Sequence, residues 1–121
     1  DDHGVRHGVQ DRLHVRLAFG QVAGHRLRLA PGALPDIVGR SAQCVGIRSP
    51  RPEARVDLVF FPLRDMRDLL DLSVADQPAL ADCLALMRRV ATEQKLGTWK
   101  IVSNGPGYQE VSYLHFHLMS D

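Results

Sequence analysis

Two histidines near the end of the sequence, His115 and His117, are the residues whose type and spacing could support chemistry. On a β-strand, side chains two residues apart point to the same face, and their Cα atoms lie about 6.5–7 Å from each other. One interpretation is a nucleophile with a helper. A neutral imidazole then attacks a phosphorus or acyl centre, while the second imidazole or backbone N–H groups stabilise the developing charge.

Two other interpretations of this histidine pair stay open. Neutral imidazoles also bind zinc, copper, iron or nickel, but a third ligand would then have to come from Tyr113 or from a distant acid. The pair could also be no more than the polar face of a surface strand. From the pattern alone this last interpretation ranks first, because His-x-His on a strand is a weak signal.

The elements that position these histidines can be predicted from the hydrophobic pattern. Residues 111–119 alternate, so that Tyr113 shares the face of the two histidines and the apolar residues between them face the other way. A turn is predicted at 103–107, just upstream, where glycine and asparagine tolerate unusual backbone angles. Further strands are predicted at 36–38, 44–47, 55–61 and 99–102.

One long helix is predicted over 73–95. Ser73 with Asp76 three residues later resembles a capping box, and Pro78 is tolerated in a first turn. Apolar residues then recur at helical spacing, with charged residues available for the solvent face. We expect Gly97 to supply the stop.

Length and composition exclude several classes of protein. The 121 residues suit one domain, and a net charge of +1 gives no overall attraction to nucleic acid or to an anionic membrane. The apolar runs are far shorter than the ~20 residues that span a bilayer. Cys44 and Cys83 form no C-x-x-C pair and no dense framework, which suits a reducing compartment, so we expect the cytoplasm or an organelle interior.

Several stretches between residues 32 and 121 resemble the histidine triad (HIT) superfamily of nucleotide-binding hydrolases and transferases. They are similar to the family's Gly-Glu-Leu-Pro opening, to its P-x-A-P-x-H-x-L-V-I-P strand with the L-x-D-L that follows, and to its signature Q-x-V-x-H-φ-H-φ-H-φ-φ, where φ is apolar. In this chain they read Gly32-Ala33-Leu34-Pro35, Pro52-Glu53-Ala54-Arg55-Val56-Asp57-Leu58-Val59-Phe60-Phe61-Pro62, Leu69-Leu70-Asp71-Leu72 and Gln109-x-Val111-x-Tyr113-Leu114-His115-Phe116-His117-Leu118.

The resemblance implies an α+β fold of the HIT-like type, with an antiparallel sheet of about five strands, one long helix and a short helix. The domain would span 29–121, preceded by an N-terminal arm or hairpin at 1–28 that the resemblance does not cover. Members of the family usually pair through helix and sheet, so a homodimer is expected.

Site residues follow from the resemblance by position. His115 falls on the family's nucleophile, which attacks the α-phosphorus and forms a nucleotidyl-histidine intermediate, and His117 falls on the last histidine, beside the phosphate. Asn104 and Gln109 fall on polar positions around the ribose and phosphate. We expect four substrate-binding residues in all: Asn104, Gln109, Ile47 and Ser49.

Four residues depart from the family pattern. Tyr113 stands in place of the first triad histidine, so the triad is broken, and Asp57 stands in place of the histidine in the strand motif. Ser49 lies near the place of the acid that holds the ribose hydroxyls, and Glu110 replaces a small hydroxyl residue. Asp57 could pair with protonated His115 or His117, and pairing with the nucleophile would weaken it. Alternatively, Asp57 simply lies on a strand edge.

Two functions of different classes follow. The first is a hydrolase or nucleotidyl transferase acting on a purine nucleotide or nucleoside phosphoramidate through His115, with His117 and Tyr113 in the catalytic site and no cofactor. The second is a catalytically impaired domain that serves as a binding or assembly subunit, with the basic arm at 1–28 contacting a protein partner. A metal site on the two histidines ranks third.

Overall fold

The computed structural model describes residues 36–109 and 112–121, which form a five-stranded sheet with one long helix. The predicted α+β fold with a five-stranded antiparallel sheet is therefore confirmed. The predicted arm at 1–28 lies outside the described residues, as do 29–35. The elements are β1 (Ile37–Arg40), β2 (Cys44–Arg48), β3 (Val56–Pro62), α1 (Gln77–Glu93), β4 (Lys100–Val102) and β5 (Phe116–Ser120).

The strands are antiparallel and lie in the order β1-β2-β3-β5-β4. The most apolar strand, β3, therefore lies at the centre, and β5 lies between β3 and β4 although it comes last in the sequence. Two 3₁₀-helical turns, Leu69–Asp71 and Val74–Asp76, stand where a short helix was expected.

Each face of the sheet carries its own apolar cluster, because side chains alternate along a strand. On one face, α1 packs against β2 and β3, and its buried residues recur every three or four positions, as on one face of a helix. The opposite face carries a second, smaller cluster. The helix-side cluster includes Leu58, Phe60, Cys83, Leu86, Met87, Val90, Leu114, Phe116 and Leu118, and the second cluster consists of Val45, Ile47, Val59, Phe61 and Tyr113.

The helix is shorter than predicted at both ends. Ser73 and Asp76 do form a capping box, but it starts the 3₁₀ turn before α1. At the other end the predicted stop at Gly97 is wrong, because Lys95 takes the left-handed conformation with φ of 55°. Leu96 N–H then bonds to the Ala91 carbonyl and Lys95 N–H to the Thr92 carbonyl, which is the Schellman pattern.

The last strand also begins later than predicted. The alternation covers 111–119, but regular pairing starts at Phe116 with β3 and at His117 with β4. Tyr113 to His115 lie in an irregular approach to the strand, tied down by a hydrogen bond from Leu114 N–H to the Met66 carbonyl at 2.7 Å. The alternation of faces nevertheless holds there, since Leu114 packs on the helix side and Tyr113 on the other.

Cys44 and Cys83 form a disulfide that joins the start of β2 to the middle of α1. Both residues are fully buried. This bond was not predicted from the sequence, in which the two cysteines form no C-x-x-C pair and no dense framework. The sequence could not show the pairing, because the two positions meet only when α1 lies across β2.

The described part of the chain contains no helix that combines the length and apolar character needed to cross a lipid bilayer.

Candidate functional site

The candidate site lies on the face of the sheet opposite α1, where β3 and β5 are neighbours. Val59 pairs directly with His117, and Asp57 pairs with Met119 one step along the two strands. Strand alternation therefore brings Asp57, Val59 and Phe61 to the same face as His117. The two strands meet there although Asp57 and His117 are 60 residues apart in sequence.

His115 is held by its own backbone neighbourhood. Its Nδ1 lies 2.7 Å from the Tyr113 carbonyl oxygen, and Ser103 Oγ donates a hydrogen bond of 3.0 Å to the His115 carbonyl. A carbonyl oxygen can only accept, so Nδ1 carries the proton and Nε2 is the basic nitrogen of the neutral ring. An imidazole in this tautomer presents Nε2 as a nucleophile or base.

His117 is held by a carboxylate. Its Nδ1 lies 3.0 Å from Asp57 Oδ1, and the side chains are only 3% and 0% exposed. The other carboxylate oxygen, Oδ2, accepts a hydrogen bond of 3.1 Å from Glu53 N–H. The carboxylate that replaces the expected motif histidine is thus hydrogen-bonded to His117, whereas the bond that orients His115 goes to a neutral carbonyl.

The rings of His117 and Phe61 pack against His115, and Tyr113 packs against Phe61. The His115 and His117 rings meet edge to face with centroids 5.2 Å apart, and the Phe61 ring lies 5.6 Å from His115. Tyr113 meets Phe61 at 6.0 Å. His115 and His117 are both buried, at 4% and 2% exposure. The predicted common face of the two histidines is present, with Phe61 as an apolar wall.

Tyr113, at the place of the missing triad histidine, bonds to the backbone of β3. Its hydroxyl donates a hydrogen bond of 2.8 Å to the Pro62 carbonyl. A phenol with an ordinary pKa near 10 relays protons poorly at neutral pH. This geometry gives Tyr113 a structural role, in which it ties the approach to β5 against the end of β3.

The residues expected to bind substrate lie in two places. Ile47 is buried on the site face of β2, opposite Val59, and Ser49 follows it with its N–H bonded to the Asp57 carbonyl at 2.8 Å. Asn104 is half-buried in the turn after β4. Gln109 lies beyond that turn, where its side-chain amide donates to the Arg67 carbonyl at 2.6 Å. Glu110 lies outside the described residues.

Two residues of the site were not singled out from the sequence. Phe61 could have been found by following the alternation from Asp57 along β3, because every second residue shares a face. Ser103 had a weaker signal, since it was only part of a turn. Its bond to the His115 carbonyl joins that turn to the nucleophile position.

The described residues around the site do not include a set of side chains that could bind a metal ion. Among residues 36–109 and 112–121, no group of three or more histidine, cysteine or acidic side chains could hold a metal ion. A cavity of about 350 Å³ is lined by Glu53, Lys100 and Met119, among others. Met119 pairs with Asp57 and Lys100, so this cavity lies one step along the sheet from the histidines and is not lined by them.

Known structures share this fold. A HIT family hydrolase from Legionella pneumophila matches with a TM-score of 0.68 and 25% identity over 73% of this chain and 82% of its own. A HIT family hydrolase from Clostridium thermocellum matches with a TM-score of 0.69 at 18% identity, over 74% of this chain and 81% of its own. A histidine triad nucleotide-binding protein from Candida albicans matches with a TM-score of 0.63 at 18% identity, over 71% of this chain and 65% of its own.

A curated protein sequence gives the family. No model of a protein family matches the chain. An uncharacterized HIT-like protein of Synechococcus elongatus, however, is 30% identical over 87 residues, which make up 69% of this chain and 76% of that protein. With the shared fold and the histidine pair at the end of the sheet, this similarity shows that the chain belongs to the histidine triad (HIT) superfamily.

Proposed function

We propose that this protein is a nucleotide-binding hydrolase or nucleotidyl transferase of the histidine triad type, acting through His115. The observation that carries the proposal is the bond from His115 Nδ1 to the Tyr113 carbonyl, because it makes Nε2 the nucleophilic nitrogen. A second imidazole, that of His117, lies 5.2 Å away between ring centroids. The similar structures named as HIT family hydrolase and histidine triad nucleotide-binding protein support nucleotide phosphates as the ligand class.

In the proposed reaction, His115 attacks the phosphorus of a nucleoside phosphoramidate or a related phosphate bond. The nucleotidyl group then passes to water or to another acceptor. Asn104 and Gln109, Ser49 and Ile47 are proposed to contact the nucleotide. A purine base is the expectation carried by the family resemblance.

The test is to trap the covalent intermediate. The protein is mixed with an adenosine phosphoramidate and quenched rapidly, and the mass of the intact chain is measured. A mass increase of one adenylyl group on His115, together with release of adenosine monophosphate, supports the proposal. An unmodified chain throughout, with no turnover, contradicts it.

A matched variant separates chemistry from folding. His115→Asn keeps an N–H that can reach the Tyr113 carbonyl but removes Nε2. We expect its far-ultraviolet circular dichroism and unfolding midpoint to stay close to wild type while adduct and turnover fall by several orders of magnitude. Equal turnover in the variant and the wild type would exclude His115 as the nucleophile.

The burial of the two histidines favours a second candidate function. At 4% and 2% exposure, His115 and His117 offer little surface to a phosphorus centre. The alternative is therefore a catalytically impaired domain that binds a nucleotide or a protein and serves as an assembly subunit. Calorimetric binding of adenosine monophosphate without turnover of the phosphoramidate supports this alternative. Loss of a protein partner on deletion of 1–28, with the remaining domain still folded, would assign the contact to the arm.

A homodimer is part of the proposal. Within the described residues, β4 is an edge strand with β5 on one side. Beside it, a groove of about 410 Å³ is lined by Leu84, Trp99 and Ile101, each more than a third exposed. An apolar edge strand of this kind is a template for pairing with a second copy. A dimer by light scattering that becomes a monomer in Ile101→Asp supports this arrangement, and a monomeric wild type contradicts it.

The compartment remains a prediction. The sequence was interpreted as cytoplasmic or in a reducing organelle interior, whereas the disulfide between Cys44 and Cys83 is of a kind found more often in oxidising compartments. Fractionation of source cells, followed by alkylation of thiols before lysis, checks the compartment and the state of the cysteines together.

A further inference from the structure

Nδ1 of each histidine of the site lies within hydrogen-bond distance of an oxygen, but the two oxygens differ in charge. The acceptor for His115 is the neutral Tyr113 carbonyl at 2.7 Å, and the acceptor for His117 is the Asp57 carboxylate at 3.0 Å. An ionised carboxylate is, like a carbonyl, only an acceptor. Nε2 is therefore the basic nitrogen of both neutral rings, and the carboxylate gives His117 the stronger, charge-assisted bond.

Asp57 is itself held in place from several sides. Its Oδ2 accepts the Glu53 N–H at 3.1 Å, and its backbone carbonyl accepts the Ser49 N–H at 2.8 Å. Its backbone pairs with Met119 in the centre of the sheet, and its side chain has no exposure. A carboxylate fixed in this way is an orienting group for an imidazole, since rotation of the Asp57 side chain would break its bonds to both His117 and Glu53 N–H.

We propose that Asp57 is a positioning residue that keeps the proton of His117 on Nδ1 and so makes Nε2 the nitrogen through which His117 transfers protons. The proposal rests on the proposed function and deepens it, because it assigns proton transfer to one atom of the site. Asp57 contacts no reacting group and acts through His117.

The proton transfers balance over a complete turnover. His117 enters this reaction as the imidazolium, with a proton on each ring nitrogen. Nε2 of His115 forms a bond to phosphorus while the bond from phosphorus to the leaving amine breaks, and the amine nitrogen takes the Nε2 proton of His117, which leaves that ring neutral with its proton on Nδ1. Water then attacks phosphorus and passes a proton to the same Nε2. The bond between His115 and phosphorus breaks with its electrons returning to the imidazole, so both histidines regain their starting states.

The first experiment needs no substrate. Two-bond nitrogen–proton spectra of the ¹⁵N-labelled wild-type protein distinguish the two neutral tautomers of His117 across a pH titration. We expect neutral His117 to carry its proton on Nδ1. A proton on Nε2 would overturn the proposal even if the enzyme is active, and this measurement decides the matter if variants of Asp57 do not fold.

The second experiment uses Asp57→Asn, whose side chain has almost the same shape. The amide oxygen is expected to face Glu53 N–H, because the opposite orientation would put two donors together. The amide NH₂ then donates to Nδ1 of His117 and moves the ring proton to Nε2. We expect that tautomer in the spectra and, with adenosine phosphoramidate, a fall in kcat of about 100-fold or more, with KM changed by less than about threefold because substrate contacts remain.

The control for Asp57→Asn is a second substitution of aspartate by asparagine at an exposed position. Asp36→Asn removes a carboxylate from an exposed pair with Arg48 and should leave the tautomer, kcat and KM unchanged. Asp57→Asn that keeps both the Nδ1 proton and the wild-type kcat would show a merely structural role and overturn the proposal. If the wild type lacks turnover, the proposed function fails on its own, while the wild-type spectra still test the positioning of His117.

Discussion

At the scale of single residues, Gly46 shows how tightly β2 and β3 pack. It pairs with Phe60, and a Cβ at Gly46 would lie 2.7 Å from Phe60 Cδ2, too close for a carbon contact. Phe60 is fully buried in the helix-side cluster, so its ring has little room to move. Gly46 is required here by space and not by an unusual backbone angle.

We expect Gly46→Ala to lower the free energy of unfolding by about 1–3 kcal/mol, the usual cost of overpacking a core. Urea unfolding followed by circular dichroism measures it. Gly97→Ala is the control, because a Cβ there meets nothing within 4 Å. The control should change the free energy by less than about 0.5 kcal/mol, and equal effects in the two variants would contradict the packing argument.

At the residue scale, the sequence predicted which side chains share a face, but not which of them are hydrogen-bonded to each other. Alternation correctly gave His115 and His117 one face, because the direction of a side chain along a strand is a local property. The partner of Asp57 was left open between the two histidines. The choice depends on the register of β3 against β5, which places Asp57 next to the pair formed by Val59 and His117. No local sequence pattern encodes that register.

At the scale of elements, one carboxylate, that of Asp76, holds the 3₁₀ turn that leads into α1. Asp76 accepts both the N–H and the Oγ–H of Ser73 at 2.9 Å, and Arg64 Nε at 2.6 Å. The bond from the Ser73 backbone, followed by that from Arg64, holds the pKa of Asp76 below its ordinary value of 3.8, although burial opposes this. Because the folded pKa is lowered, the carboxylate stabilises the protein above that value and loses this contribution as pH falls through the folded pKa.

Asp76→Asn should therefore lower the free energy of unfolding at neutral pH by about 0.5–2 kcal/mol, as the loss of a cap does. It should also flatten the decline in stability that we expect of the wild type as the pH falls below 3.8. Urea unfolding at a series of pH values measures both effects. Asp36→Asn, which also removes one negative charge, serves as the control, and an acid decline as steep in Asp76→Asn as in the wild type would contradict the assignment.

At the end of α1, a substitution is expected to raise the free energy of unfolding and not to lower it. Lys95 is a residue with a side chain at the left-handed position of the Schellman motif, where glycine is favoured. We expect Lys95→Gly to raise the free energy of unfolding by up to about 1 kcal/mol. Differential scanning calorimetry would show a higher unfolding midpoint, whereas a lower midpoint would mean that contacts of the lysine side chain outweigh the strain.

The elements that the sequence mispredicted are those whose ends are set by tertiary contacts. Gly97 was the better local candidate for a helix stop, but Leu96 packs against the core and requires the chain to turn back at Lys95. The start of β5 at Phe116 is likewise set by pairing with β3. The five strands and the long helix were local signals and were predicted correctly, whereas Val74–Asp76 forms a separate 3₁₀ turn and not the first turn of the predicted helix.

At the scale of the whole molecule, the disulfide between Cys44 and Cys83 links helix and sheet across 39 residues. Closing a loop of that length restricts the unfolded chain and is worth roughly 4 kcal/mol in the entropy model. We expect the double variant Cys44→Ala and Cys83→Ala to lose stability of this order in urea. Reduction of the wild type should have a similar effect, while the double variant should not respond to reductant.

The thiol count checks the premise of that prediction. Alkylation of the denatured, unreduced protein should leave its mass unchanged, and two alkyl groups should add after reduction. Alkylation of both cysteines without reduction would contradict the disulfide. No local pattern predicts this disulfide, because Cys44 and Cys83 approach each other only through the packing of α1 on β2.

The order of the strands has a consequence for the folding of the chain during synthesis. β3 leaves the ribosome early and can pair with β2, but its other edge has to wait for β5, which follows every other strand. Until then the most apolar strand presents an open edge, the kind of surface on which nascent chains aggregate. Assembly of the candidate site and protection of this edge therefore arrive in the same step, when β5 inserts and carries His117 to Asp57.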